Sequence, residues 1–205
     1  MLELDTVTCE RGGRTLFAGL NRRVAAAQLL RVQGANGSGK TSLLRMVTGL
    51  LPPAQGRILW HGQEIGKLAE EFGRQLVYLG HAAALKDDLS ARENLQVATL
   101  LGGIAITDDE AALALEQAGL AGRERVLARQ LSQGQRRRVG LARLVVAGSV
   151  PLWVLDEPFN ALDTAATEWL CRLITAQLAR GGVVVLTSHQ AVGLDDLPGQ
   201  VTVAL

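Results

Sequence analysis

A chain of 205 residues suits one α/β domain with a small inserted lobe; a domain of this size buries roughly 70% of its unfolded surface and needs no disulfide or structural metal. Its 21 Lys and Arg nearly balance 20 Asp and Glu, with no long block of one sign, which argues against a nucleic-acid binder. The two cysteines, Cys9 and Cys171, lie outside any C-x-x-C pattern and read as buried or half-buried thiols of a reducing compartment.

The first residues carry acids and no apolar segment, unlike a signal peptide. Leu2 to Thr8 alternates apolar and polar side chains before Gly12-Gly13, which predicts a strand and a turn. Leu29 to Val32 is a short apolar run that enters the glycine-rich segment Gly34-Ala35-Asn36-Gly37-Ser38-Gly39. Lys40 to Leu50 then shows apolar residues at helical spacing until Pro52-Pro53, and Ile58 to Trp60 before His61-Gly62 reads as a strand and turn. From Ser90 to Ala147 the pattern is helical almost throughout, broken at Gly102-Gly103 and Gly119; within it, Arg136-Arg137-Arg138 reads as a solvated helix face. Leu152 to Leu155 and Val183 to Leu186 read as fully buried parallel strands, with a helix from Thr164 to Leu178 between them and a last strand from Val201 to Ala204. The longest apolar stretch, Leu141 to Leu155, is interrupted by Arg143, Ser149 and Pro151, so no run of about 18 apolar residues exists to span a bilayer. With 48% hydrophobic residues the chain still hints at a buried interface. The order of elements predicts an α/β nucleotide-binding core with an inserted helical lobe.

Gly34-x-x-x-x-Gly39-Lys40-Thr41 matches the phosphate-binding P-loop in full. Glycines let consecutive backbone N–H groups of residues 34–39 turn inward as an anion nest, and the helix that follows adds its positive end. Lys40 is placed for the β- and γ-phosphates, and the Thr41 hydroxyl, next to Ser42, for Mg²⁺. The second acid supplier is Leu152-Trp153-Val154-Leu155-Asp156-Glu157. A buried strand delivers its carboxylates at the carboxyl edge of the sheet, where open α/β sheets bind ligands. Asp156 would hold Mg²⁺ directly or through water, and Glu157 would polarise the attacking water as general base.

Leu131-Ser132-Gln133-Gly134-Gln135, followed by Arg136 to Arg143 and placed shortly before Asp156-Glu157, resembles the signature motif of the ABC ATPase family. The resemblance extends over residues 2 to 205. It implies a P-loop NTPase: a RecA-like core with N-terminal antiparallel strands (residues 1–81 and 148–205) and an ABC helical subdomain (about 82–147). It also implies ATP and Mg²⁺ as ligands and a second copy of the chain across an ATP sandwich. In that arrangement Ser132, Gln133 and Gly134 of one copy cap the γ-phosphate held by the other. Asn160-Ala161-Leu162-Asp163 resembles the D-loop, which places Asp163 at the same contact in trans. His189 resembles the switch histidine that touches the γ-phosphate.

Two positions depart from the family pattern. Tyr78-Leu79-Gly80-His81 falls where the family has its Q-loop, with His81 in place of glutamine; either it serves the metal and the attacking water, or it is a loop residue facing a partner. The aromatic residue that stacks on adenine is absent, and Arg11 aligns there, either stacking on the base or simply exposed. Cys9-Glu10-Arg11 leading to Arg14-Thr15-Leu16-Phe17, the Tyr78 to His81 variant, Leu152 to Asn160 and Thr187-Ser188-His189-Gln190 together resemble one branch of the family, the ATPases of bacterial cytochrome c maturation, as does the short length. That resemblance implies a haem-transporting ATPase, peripheral at the cytoplasmic face of the inner membrane. Its partners are integral membrane subunits, and its turnover is linked to haem export or release from a haem chaperone. A docking cleft would lie beside the Q-loop, with Ala82 to Leu85 as an apolar floor and Lys86-Asp87-Asp88 as a charged rim. Three histidines, two cysteines and no C-x-x-C-H give no haem-ligand pattern, so direct haem binding is not expected. The alternatives left open are another small-molecule or lipid exporter and a soluble ABC ATPase of cofactor assembly.

Overall fold

The computed structural model describes residues 1–188, 193, 194 and 199–205. The chain opens with a hairpin of β1 (Leu2–Arg11) and β2 (Arg14–Val24), followed by β3 (Leu29–Gln33) and α1 (Lys40–Val47). Next come β4 (Gln55–Trp60), the two-residue β5 (Gln63–Glu64), α2 (Ile65–Gly73) and β6 (Leu76–Leu79). Three helices follow, α3 (Ala91–Leu101), α4 (Asp108–Gln117) and α5 (Gln133–Val146), and then β7 (Leu152–Leu155), α6 (Thr164–Ala179), β8 (Val183–Thr187) and β9 (Gln200–Ala204).

These strands form two sheets. The first is antiparallel in the order β2-β1-β4-β5, and the second is parallel in the order β6-β7-β8-β3-β9. The parallel strands bury both faces, as their Val- and Leu-rich runs require: all four residues of β7 and all five of β8 are buried. One face packs on α1 through Leu43, Leu44 and Val47, together with Leu2, Leu4 and Ile58 of the antiparallel sheet. The other face, carrying Trp153, Leu155 and Val184, packs on Leu170, Ile174 and Leu178 of α6. This is the predicted P-loop fold with N-terminal antiparallel strands.

Differences from the sequence reading are local. β2 is mostly exposed and carries Arg14, Arg22 and Arg23, so it lacks the alternation that marks a half-buried strand. From it Val24 enters the core, and Leu16, Phe17 and Leu20 pack against it half-buried. The helix after the P-loop is shorter than expected, because Thr48 caps it and Gly49 turns out at φ 76°. The segment 90–147 is less helical than its pattern suggests. Gly103 and Gly119 take φ 83° and 73°, and α4 and α5 are separated by loop and one 3₁₀ turn, Ala128–Gln130. Both cysteines are free: Cys9 is buried and Cys171 half-buried, and burial pushes both thiols up.

α5 is the structural hinge between layers. Val139 and Ala142 face α3 and α4 through Ala91, Leu95, Ala111 and Leu115, whereas Leu141 and Leu144 join the sheet core beside Trp153 and Phe159. Burying a leucine of this kind contributes about 1.5–3 kcal/mol, so α5 is anchored in both layers. Among the described residues no helix is long and apolar enough to cross a membrane.

α3 and α4 each begin with a reciprocal cap. The Glu93 carboxylate accepts from Ser90 Oγ and the Ser90 N–H, both at 2.7 Å. Glu110 accepts from the Thr107 N–H at 2.8 Å and Thr107 Oγ1 at 2.9 Å. These bonds hold both carboxyls below the ordinary glutamate value of 4.5. Folded values below the unfolded ones mean stability that is complete above pH 4.5 and lost as pH falls through the folded values. Thermal melting of wild type is therefore expected to drop more steeply below pH 4.5 than that of the Glu93→Gln/Glu110→Gln double variant, whose caps do not titrate. Parallel melting curves across acid pH would show that the caps contribute nothing.

Candidate active site

The P-loop leaves β3 and folds over the first turn of α1. Gly39 sits at the helix N-cap with φ 107°, a conformation that favours glycine, and a Cβ there would lie only 3.1 Å from the Phe17 ring. Lys40 is buried, and its Nζ donates to the carbonyls of Gly34 at 2.8 Å and Ala35 at 3.0 Å, closing the loop into a ring.

Asp156 and Glu157 follow β7, between β6 and β8 in the sheet order. Asp156 is 2% exposed; its Oδ2 accepts from Thr41 Oγ1 at 2.9 Å, which joins the P-loop helix to the strand end. Its Oδ1 accepts from Thr187 Oγ1 at 2.8 Å, and the same hydroxyl accepts from the Glu157 N–H at 2.8 Å. Thr187, fully buried at the end of β8, therefore orients both acids. Glu157 itself takes φ 49°, a left-handed conformation that non-glycine residues hold only under local constraint.

A cleft of about 580 Å³ collects these groups. It is lined by Asn36, Gly37, Gly39, Lys40, Thr41 and Ser42 of the loop and helix, by Asp156 and Glu157, and by Arg11, Leu16, His81 and Asn160. Gly34 and Ala35 lie outside the lining and act through their carbonyls on Lys40, and Ser38 is half-buried without lining the cleft. Arg11 and His81 are both exposed residues on the rim. His81 also lines a second groove of about 710 Å³, shared with Ala82 to Leu85, Gln133, Arg136 and Ala161.

Ser132, Gln133, Gly134 and Asp163 line no part of the P-loop cleft. Ser132 caps α5: its hydroxyl accepts from the Gln135 N–H at 3.2 Å while Gln135 Oε1 accepts from the Ser132 N–H at 2.9 Å. Gly134 meets the chain closely, since a Cβ there would stand 2.7 Å from the Ala161 carbonyl oxygen. Asp163 caps α6 through the Ala166 N–H at 2.9 Å and receives Arg138 Nη2 at 2.5 Å, so both its oxygens are engaged within the chain. His189 lies outside the described residues.

The solvated reading of Arg136 to Arg138 is corrected. Arg137 is 7% exposed and donates only to backbone carbonyls, Arg136 pairs with Asp87 at 2.6 Å, and Arg138 pairs with Asp163. Of the expected charged rim, Asp87 and Asp88 thus face arginines of the same chain, the latter pairing with Arg129 at 2.8 Å. Surface pairs of this kind are worth about 0–1 kcal/mol. Thr187 and Arg137 are the site residues that sequence reasoning missed, since neither a strand-end threonine nor an arginine in a basic run signals its buried partners.

A phosphate loop before a helix, a buried acid bound to the helix threonine and a second acid beside it make a P-loop nucleotide site, and α5, opening on Ser132-Gln133-Gly134, gives it the form of the ABC class. The ABC transporter family profile matches residues 17–160, within an extent that contains the P-loop, the signature helix and both acids. The solved dimeric structure of the ATP-binding cassette MJ0796, bound to ADP and Pi, shares the fold at a TM-score of 0.80 with 24% identity, covering 93% of this chain and 88% of that one. The chain is 52% identical to the cytochrome c biogenesis ATP-binding export protein CcmA of Dechloromonas aromatica, over 95% of both chains. It is 50% identical to CcmA of Nitrosospira multiformis, over 93% of this chain and 92% of that one. The chain belongs to the ABC transporter ATP-binding family and, within it, to the CcmA group.

Proposed function

We propose that the cleft binds MgATP, that Glu157 activates the attacking water, and that turnover drives haem export or release through membrane partners during cytochrome c biogenesis. The observation that carries the MgATP reading is the 2.9 Å bond from Thr41 to Asp156, which brings P-loop and strand-end acid together beside Glu157, and the export role is supported by the likeness to the CcmA proteins. The pair offers hard oxygen donors, a hydroxyl and a carboxylate, which suits Mg²⁺. Held by Thr41 and Asp156, the ion would neutralise charge on the β- and γ-phosphates.

The chain's own groups supply the rest. Lys40 leaves the Gly34 and Ala35 carbonyls to meet phosphate oxygens, and the N–H groups of residues 36–41 cradle them. Glu157 accepts a proton from water, and Thr187 holds its backbone in place. His81, on the rim of both cleft and groove, takes the Q-loop position, and Arg11 offers its guanidinium plane to the adenine. Ser132 and Gly134, remote from their own cleft, serve the P-loop of a second copy, with Gln133 and Asp163 beside them. The switch role of His189 is carried over from the family resemblance.

The 710 Å³ groove receives a segment of the membrane partner: its floor is Ala82 to Leu85, and attachment is peripheral at the cytoplasmic face of the membrane. Apolar centre and polar edge are the usual anatomy of such a contact. Ala82 is exposed, so a charge there alters the groove without entering the core. Ala82→Glu is expected to leave ATP binding intact while membrane association and cytochrome c maturation are lost. Membrane fractionation decides it: a variant that stays with the membrane and supports maturation places the docking surface elsewhere.

A further inference from the structure

We propose that Arg137 is a positioning residue that ties the helical lobe to both loops bordering the reacting groups, an inference that rests on the reading of Glu157 as general base. Its guanidinium has five N–H donors, and all are used. Nη1 donates to the carbonyls of Gly80 at 2.9 Å and His81 at 3.1 Å. Nη2 donates to those of Asp156 at 2.9 Å and Glu157 at 2.8 Å, and Nε to that of Pro158 at 3.4 Å. One side chain on α5 thus joins the segment that carries His81 to the turn that carries both acids.

The geometry explains why this matters at the acids. In an extended strand successive carbonyls point in opposite directions, so one donor group cannot collect three in a row. Here Glu157, at φ 49°, turns the chain so that the carbonyls of residues 156–158 converge on Arg137, while its own side chain lines the cleft. Arg137 meets all three carbonyls, that of Glu157 together with the Asn160 N–H at 3.3 Å, and so helps hold that conformation. Burial lowers the guanidinium's pKa, an effect that the charges of Asp156 and Glu157 offset in part. Arg137 also lines the groove beside Ala82 to Leu85, so a body entering that groove touches the strut that sets the acids.

A lysine keeps the charge but concentrates three donors at one point, and cannot span both loops as the planar fork does. Misplacing a reacting group by about 1 Å can cost ~10²-fold in rate. Single-turnover ATP hydrolysis by the full chain is therefore expected to slow by about 10- to 100-fold in Arg137→Lys and Arg137→Gln, and at least as much in Arg137→Ala. Equilibrium ATP affinity is expected to stay within about threefold, because no phosphate contact is lost. Amide hydrogen exchange is expected to accelerate at residues 80–84 and 156–161 together, with α5 still protected. Unchanged hydrolysis, or hydrolysis and affinity falling in parallel, would overturn the proposal in favour of a purely architectural arginine. If Arg137→Ala fails to fold, the lysine and glutamine variants decide. A wild-type chain that does not hydrolyse ATP counts against the role of Glu157, and exchange at the two segments then decides the proposal by itself.

Discussion

Glu157→Gln is expected to reduce ATP hydrolysis by about 10²- to 10⁴-fold, the scale on which a positioned general base contributes. Glutamine is nearly isosteric and keeps the left-handed turn and the backbone bond to Thr187, but it cannot accept the proton. The P-loop is untouched, so ATP binding persists and the ATP-bound state accumulates. Since Ser132 and Gly134 lie outside their own cleft, that state is expected to be a dimer, with Mg-free ATP sufficient to hold it. Size measurements with and without nucleotide check the second half of the prediction. A variant that retains more than about a tenth of wild-type turnover contradicts the general-base role, and one that stays monomeric with ATP contradicts the sandwich.

Lys40→Ala carries the other large effect, and acts at binding rather than at the base. Lys40 bonds to the Gly34 and Ala35 carbonyls, so its removal both loosens the ring and deletes the one P-loop side-chain charge. A hydrogen bond to a charged group contributes about 1.5–3 kcal/mol, and Lys40 is placed to make more than one to phosphate. ATP affinity is expected to fall by about 10²-fold or more, with AMP, which lacks the β- and γ-phosphates, affected far less. Titration of both nucleotides by calorimetry tests this. Equal losses for ATP and AMP would mean that the substitution has damaged the fold rather than removed a phosphate contact.

Much of this architecture was legible because local signals agreed with one another. Buried parallel strands announced themselves as short Val- and Leu-rich runs, and the P-loop declared its own strand, turn and helix. The hairpin partner β2 was not legible: an edge strand exposed along most of its length carries arginines where a buried face would show alternation. α2 and β6 were not read: α2 starts without a capping side chain, and β6 is only partly buried, unlike the fully buried β7 of equal length. At the site, P-loop and acids were read directly and the structure brings Thr41, Asp156 and Glu157 to one cleft. Arg137 was hidden by its neighbours: a run of three arginines looks solvated, and only the tertiary structure shows the middle one turned inward against two loops. Gly134 illustrates a signal that was read for one reason and has a second. It belongs to the signature pattern, yet it also admits the Ala161 carbonyl at a distance that a Cβ would forbid.

If this ATPase works through membrane proteins of cytochrome c biogenesis, those proteins should come with it when the chain is purified from membranes. The tagged full-length protein, solubilised in mild detergent, is expected to bring down integral membrane proteins of that system, with an ATPase rate per chain above that of the isolated subunit. Ala82→Glu is expected to come through the same procedure without them. Recovery of a conventional permease instead, or of no membrane protein at all from a preparation that supports cytochrome c maturation, would contradict the account.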